Sequence, residues 1–256
     1  MNIQTIHGVI DKITDLSPTA KEITIELDSP LTFLAGAFVN LFLEDGGEKI
    51  RRAFSISSDA GTKDSLTLSI RESLQGRMSP LFWKQDMLGK SVKVMGPLGK
   101  NTADKMRGTK IFLFGFGIGV GVVKSLAAHF ANRPDIESIT ISTGSHNNED
   151  VMYQEYFKIL SEKDARIQVR HVVSQNDGTT HFPVGYIQNY IDDMDFNNSN
   201  VYVCGQEIAC TLSKGPSPQR VQRTVVSLLR LFIETPLKNF FFVLLNYCAS
   251  KVSSIF

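Results

Sequence analysis

"KIFLFGFGIGVGVVKSL", residues 110–126, decides how the second half of the chain folds. It opens on an apolar run, passes through glycines at 115, 117, 119 and 121, and continues into residues that suit a helix. A nearly all-apolar run bounded by a turn fits a strand covered on both faces. A Gly-rich turn between such a strand and a helix brings backbone N–H groups close to a dinucleotide pyrophosphate. The literal G-x-G-x-x-G spacing is not met, and such a turn alone is a weak signal. Lys124 and Ser125 raise a competing P-loop reading. A P-loop needs Gly directly before Lys-Ser, and here Val122 and Val123 intervene.

Toward the C-terminus the alternation continues. "IESITISTGS" (136–145), "RIQVRHVVS" (166–174) and "NVYVCG" (200–205) read as strands. "DVMYQEYFKILSE" (150–162) and "GYIQNYIDD" (185–193) read as the helices between them. Strand and helix in repeated alternation predict a doubly wound parallel α/β domain, placed at 107–210.

Toward the N-terminus, beyond the polar connector "KNTADKMRGTK" (100–110), the pattern has period two. "KEITIEL" (21–27), "SLTLSIRE" (65–72) and "SVKVMGP" (91–97) alternate as strands, separated by "SP", "EDGGE" and "DAGTKD" turns. Short strands with Gly-rich turns predict an antiparallel β-barrel over 1–103. One helix interrupts it at "MSPLFWKQ", with Ser79 suited to the N-cap and Pro80 to the first helical position.

Within the barrel, "RRAFSISS" (51–58) sets arginines beside an aromatic ring and serines. Arg52, Phe54 and Ile56 share one face of an extended strand. Arg52 suits a phosphate through its planar fork, Phe54 suits a flat ring, and Ser55 suits a ring nitrogen. A solvated strand with one buried Phe is the plainer alternative. "QGRMSPLFW" (75–83) adds a glycine that admits close backbone approach and the start of a helix, an anion site. Together these two segments suit a pyrophosphate.

The totals narrow the function classes. The 256 residues, 42% hydrophobic, allow one large domain or two ordinary ones, and the net charge of +1 lacks the basic excess of a nucleic-acid binder. Cys204, Cys210 and Cys248 make neither a paired framework nor the four thiolates of an iron–sulfur cluster. A cytoplasmic setting is the expectation. The opening "MNIQTIHGVIDKITDL" has no signal-peptide pattern, and no apolar run reaches the roughly 18 residues of a membrane span. No metal site is expected.

On "FLAGAFVNLFL" (33–43), Arg52-Ala53-Phe54-Ser55, Gly76-Arg77-Met78-Ser79, "GPLGK" (96–100), "GSHNNEDVMYQEYF" (144–157) and "VYVCG" (201–205), the chain resembles the ferredoxin–NADP reductase superfamily. The resemblance runs from about residue 5 to about 210. It implies a flavin-binding barrel followed by a nucleotide-binding α/β domain. It also implies FAD and NAD(P)H as cofactors, and hydride transfer to the flavin with electrons released to ferredoxin, flavodoxin or an oxygenase component. Arg52, Ala53, Phe54, Ser55 and Ile70 would line the flavin. Gly76, Arg77, Met78 and Ser79 would hold its pyrophosphate. Gly117, Gly119, Val120 and Gly121 would line the nicotinamide dinucleotide, with Ser145 and His146 at its far end and Gly205 by the nicotinamide. Ser55, near flavin N5, and Cys204, as a positioning contact rather than a nucleophile, would be the catalytic residues. An inactive flavin- or nucleotide-binding regulatory subunit and a free-flavin reductase are the alternatives.

Four departures carry expectations. Phe54 lacks the hydroxyl of the family's Tyr, which predicts weaker flavin binding. Val122 stands where the family commonly has Pro. Ser145 and His146 stand where NADP-specific members place Arg, and histidine is the poorer phosphate partner at neutral pH, so NADH is at least as good an expectation as NADPH. The tail, 211–256, is rich in Arg, Lys, Ser and Phe, with Glu234 its only acid. It does not map onto the family's last helix and strand. A changed reading frame, leaving the α/β domain without its edge strand, is one expectation. An amphipathic helix docking on a partner or membrane surface is another.

Overall fold

The computed structural model describes residues 2–84, 86–105, 108–175, 178–192, 194–205 and, as backbone, 241–247. Cys210, Cys248 and most of the tail lie outside the described residues.

The first six strands are β1 (Gln4–Ser17), β2 (Ala20–Leu27), β3 (Phe38–Asp45), β4 (Glu48–Ser55), β5 (Ser65–Arg71) and β6 (Ser91–Leu98). They form one antiparallel sheet in the order β4-β3-β6-β1-β2-β5. The sheet curls until its edges meet: Ile56 bridges Leu68, and Ser57 N–H donates to the Thr67 carbonyl at 2.9 Å. The alternation read from "SLTLSIR" is the cause. Leu66, Leu68 and Ile70 point inward and are fully enclosed, while Ser65, Thr67, Ser69 and Arg71 stay half-exposed. Burying such a side chain stabilises by about 1.5–3 kcal/mol.

The expected helix at "MSPLFWKQ" is only α1 (Leu81–Lys84), a single turn. Ser79 does not serve as a side-chain N-cap here. Its Oγ accepts from Ser73 N–H at 3.1 Å, bracing the turn that precedes the helix.

The second sheet contains β7 (Lys110–Phe116), β8 (Ser138–Ser145), β9 (Ile167–Val173), β10 (Ser199–Gly205) and β11 (Phe241–Tyr247), in the order β11-β10-β7-β8-β9. β10, β7, β8 and β9 run parallel, and β11 pairs antiparallel with β10. Chain order reverses between β7 and β10, the switch point at which α/β sheets open a crevice. The tail therefore supplies an edge strand, contrary to the expectation of a bare edge. "FFVLLNY" is aromatic and Val/Leu-rich, and backbone pairing asks for no family motif.

Helices α2 (Val120–Ala131) and α3 (Gln154–Lys163) cover one face of this sheet. Val120, Val123, Ala127 and Phe130 of α2 recur at helical spacing and are fully buried. The opposite face carries Phe112, Phe114, Val201 and Val203 under Ile187 and Phe196. The helix expected over 185–193 is only a 3-10 turn, Ile187–Tyr190. Asn189 folds back to accept from Tyr186 N–H at 3.1 Å, closing a tight local turn instead of propagating a helix. Arg166 fixes the far end of α2, donating to the carbonyls of Ala131, Arg133 and Ile136 at 2.8–3.0 Å while paired with Asp164 at 2.6 Å. The two domains share packing: Leu16, Ala20 and Ala35 from the barrel side join the core under α2.

His129 on α2 and His171 on β9 are held below the ordinary histidine range, chiefly by burial. His171 Nδ1 also meets Thr143 Oγ1 at 2.7 Å. Between their folded values and about 6.5, the unfolded chain binds more protons than the folded one. Their effect is absent above about pH 6.5, and stability falls as pH drops below it. Tm measured from about pH 7.5 to pH 5.5 is expected to decline, and His171→Gln to flatten part of that decline; a profile unchanged by the substitution would exclude His171 as a source.

Candidate functional site

The crevice at the switch point is built first from backbone. β7 ends at Phe116, and a 3-10 turn, Gly117–Gly119, leads into α2. Gly117 has φ +51°, which a side chain rarely adopts. Gly119 lies against the end of β10. A Cβ there would stand 2.7 Å from Gly205 N and closer still to the Cys204 carbonyl. The glycine spacing that matches no simple motif is thus explained by two separate needs, a left-handed turn and strand-end contact.

Around this turn opens a cleft of about 540 Å³, within the usual range for small-molecule sites. Its walls include Arg71, Phe116, Ser145, His146, Ser174 and Tyr186. Ser145 Oγ donates to the Asp150 carbonyl at 3.1 Å, and Ser174 Oγ donates to the His146 carbonyl at 3.3 Å. The first bond ties the end of β8 to the loop that follows it, and the second holds the ends of β8 and β9 side by side at the cleft. His146 is exposed there.

Arg71 was not among the residues singled out from sequence. It ends β5, and its guanidinium reaches across to 3.2 Å from where a Cβ on Gly117 would sit. It is the one Lys or Arg on the cleft wall among the described residues. Strand alternation contains the signal: with Leu66, Leu68 and Ile70 inward, Arg71 must face out. Ile70, by contrast, is fully enclosed in the barrel core, which leaves its backbone alone for a ligand.

At the barrel edge, Arg52 and Phe54 lie opposite Leu41 and Val39 of β3, on one face as the alternation predicts. Arg52 and Ala53 are exposed; Phe54 and Ser55 are half-buried. Phe54 packs against the barrel core. Arg52 makes no ion pair among the described residues, whereas Arg77 pairs with Glu48 at the start of β4. That pair joins the Gly76–Ser79 segment to the first residue of the strand that carries Arg52. Gly76 is needed in this turn: a Cβ would stand 3.0 Å from both the Ser73 carbonyl and Ser79 Oγ. Met78 is fully buried.

Cys204 is 2% exposed and packs in the core beneath α2. Its carbonyl, rather than its thiol, faces the glycine turn through Gly119. Val122, at the position of the family's Pro, is buried in the same core. Val120 and Gly121 start α2, with Val120 also in that core.

These parts fit a flavin and a nicotinamide nucleotide. The barrel edge offers an arginine without an ion pair among the described residues, beside a half-buried ring, and the crevice offers close backbone approach with Arg71 opposite. The oxidoreductase FAD-binding domain profile matches residues 7–102, and the oxidoreductase NAD-binding domain profile matches 113–212. The chain is 28% identical over 209 residues to the reductase component of phenol 2-monooxygenase from Pseudomonas sp. strain CF600, covering 79% of this chain and 58% of that protein. It is 24% identical to ferredoxin–NADP reductase B of Sorangium cellulosum, over 71% of this chain and 75% of that protein. The chain spans little more than half the length of several curated relatives it matches. In fold it is similar to the Amycolatopsis cytochrome P450 reductase GcoB, with a TM-score of 0.75 at 18% identity, covering 91% of this chain and 68% of that one. With two adjoining domain profiles across most of its length, the chain belongs to the ferredoxin–NADP reductase-like flavoprotein reductases.

Proposed function

We propose that this chain accepts hydride from NADH or NADPH and delivers electrons to a protein acceptor: a ferredoxin, a flavodoxin or an oxygenase component. The observation that carries this reading is the crevice itself, where Gly117–Gly119, the end of β10 and Arg71 from the barrel converge. Bound FAD would supply the step between a two-electron donor and the acceptor. The chain's own residues bind and orient. Arg52 pairs with flavin phosphate, Phe54 lies against the ring, and Ser55 offers its hydroxyl near N5. The Gly76–Ser79 turn holds the pyrophosphate. Arg71 neutralises the nucleotide's pyrophosphate above the glycine turn, and the Cys204–Gly205 backbone borders the nicotinamide. The acceptor class rests on the similarity to reductase components of oxygenases, among them that of phenol 2-monooxygenase. The partition into 1–103, 107–210 and a tail from 211 belongs to this reading, as does a cytoplasmic setting. Among the described residues no helix is long and apolar enough to cross a membrane.

An anaerobic absorbance titration with NADH and NADPH in parallel tests the reading. A yellow protein whose flavin band bleaches is expected, and the better reductant identifies the nucleotide. A protein that stays colourless after added FAD would overturn it.

A further inference from the structure

Lys124, which sequence alone connects with a P-loop, does not point to a phosphate. Its Nζ lies 2.6 Å from Glu22 Oε2 on β2, and both side chains are largely enclosed, at 16% and 17% exposure. The same Glu22 Oε2 accepts from the Tyr153 hydroxyl at 2.6 Å. That hydroxyl also meets Ser69 Oγ of β5 at 2.7 Å. Lys124 Nζ stands 4.6 Å from the Tyr153 ring centre and 5.5 Å from that of Tyr156. One largely enclosed carboxylate thus gathers α2 and the start of α3 onto two barrel strands. Tyr153 has φ +58°, unusual for a bulky residue. It precedes α3, and its hydroxyl reaches the barrel rather than capping that helix. A backbone held this way persists where its surroundings over-determine it. Burial and the nearby carboxylate push the Tyr153 hydroxyl well above its ordinary range, so it remains a donor.

We propose that Glu22, Lys124 and Tyr153 are positioning residues that fix the Gly117–Gly119 turn against the barrel and thereby set the approach of the nicotinamide to the flavin. The proposal rests on the reductase reading. The mechanical link is short. Lys124 lies on the first turns of the helix that the glycine turn opens, and between them Gly121 touches the barrel. A Cβ on Gly121 would stand 2.7 Å from Ser69 Cβ. Ser69 is the same residue that meets Tyr153. Hydride transfer needs reacting atoms about 3–3.5 Å apart, and a misplacement of about 1 Å can cost roughly a hundredfold in rate. An ion pair whose lysine lies within two helical turns of the glycines is well placed to hold that tolerance.

Tyr153→Phe keeps the shape and removes the hydroxyl's bonds; Glu22→Gln keeps the shape and removes the charge that pairs with Lys124. In stopped-flow reduction of the holoenzyme by saturating NAD(P)H, each is expected to lower the limiting flavin-reduction rate about tenfold or more. FAD content and reoxidation of chemically reduced flavin by ferricyanide should be unchanged. The double variant should be no slower than the slower single one, because both remove one shared knot. Unchanged reduction with a lowered Tm would mean the knot only stabilises the fold, and would overturn the proposal; so would equal losses in both half-reactions. Hydrogen exchange over residues 117–123 is measured on the same variants. If the wild-type flavin is reduced by neither nucleotide, the reductase reading fails and exchange alone decides: faster exchange in the variants sustains the anchoring of the turn, and unchanged exchange sinks it.

Discussion

Gly119→Ala is expected to give a folded, yellow protein whose flavin is reduced at a small fraction of the wild-type rate. The added methyl would meet no flexible side chain that could swing away. It would meet the Cys204 carbonyl and Gly205 N, both backbone at the end of a central strand. Either the turn lifts from β10 or the strand end shifts, and the nucleotide's seat moves with it. Overpacking of this kind costs about 1–3 kcal/mol. If that cost falls wholly on the bound transition state, kcat/KM for NAD(P)H drops roughly 5- to 150-fold. FAD content should be unchanged, because the barrel edge lies on the other domain. Gly61→Ala is the matched control: its Cβ would approach nothing nearer than the Asp59 carboxylate at 3.7 Å. Wild-type kcat/KM in Gly119→Ala would show that the turn does not seat the nucleotide.

What the sequence made legible has a common physical origin: it is local. "SLTLSIR" declares its inner face by period two, and the barrel closes along that face at Ile56 and Leu68. "KIFLFGFGIG" declares a strand sheathed on both sides, and β7 is the centre of its sheet. The Gly-x-x-Ser segment touches the first residue of the arginine strand, through Arg77 and Glu48. What stayed hidden depends on partners far along the chain. Tyr153 and Glu22 are 131 residues apart, and no period or spacing connects them. Ser79 has the right identity for a cap, yet its hydroxyl is taken by Ser73, six residues back. The 3-10 turn at Ile187–Tyr190 replaced an expected helix because Asn189 closes on Tyr186. β11 lies in a segment whose composition reads as foreign to the family, but an edge strand needs only backbone groups to pair. Arg71 is the exception: its outward direction is local, set by the inward Leu66, Leu68 and Ile70, but only the fold brings it to the glycine turn.

Arg52→Ala is expected to weaken FAD binding by about 10- to 150-fold, the loss of a hydrogen-bonded charge worth roughly 1.5–3 kcal/mol. The exposed Arg52 has no ion pair among the described residues, so its fork is uncommitted. Neighbouring Arg51 is also exposed, but strand alternation turns it to the opposite face. Arg51→Ala should therefore leave FAD affinity within about twofold, a surface change of less than roughly 0.5 kcal/mol. Arg52→Lys keeps the charge and loses the two-pronged geometry, and it should fall between the wild type and Arg52→Ala. Equilibrium FAD titration of the apoprotein, followed by fluorescence quenching, reads all three variants. Equal losses at Arg51 and Arg52 would reduce the effect to general surface charge. Full affinity in Arg52→Ala would move the phosphate contact off this strand altogether, and with it the argument that an arginine, a ring and a serine in extended backbone were set there to grip a flavin.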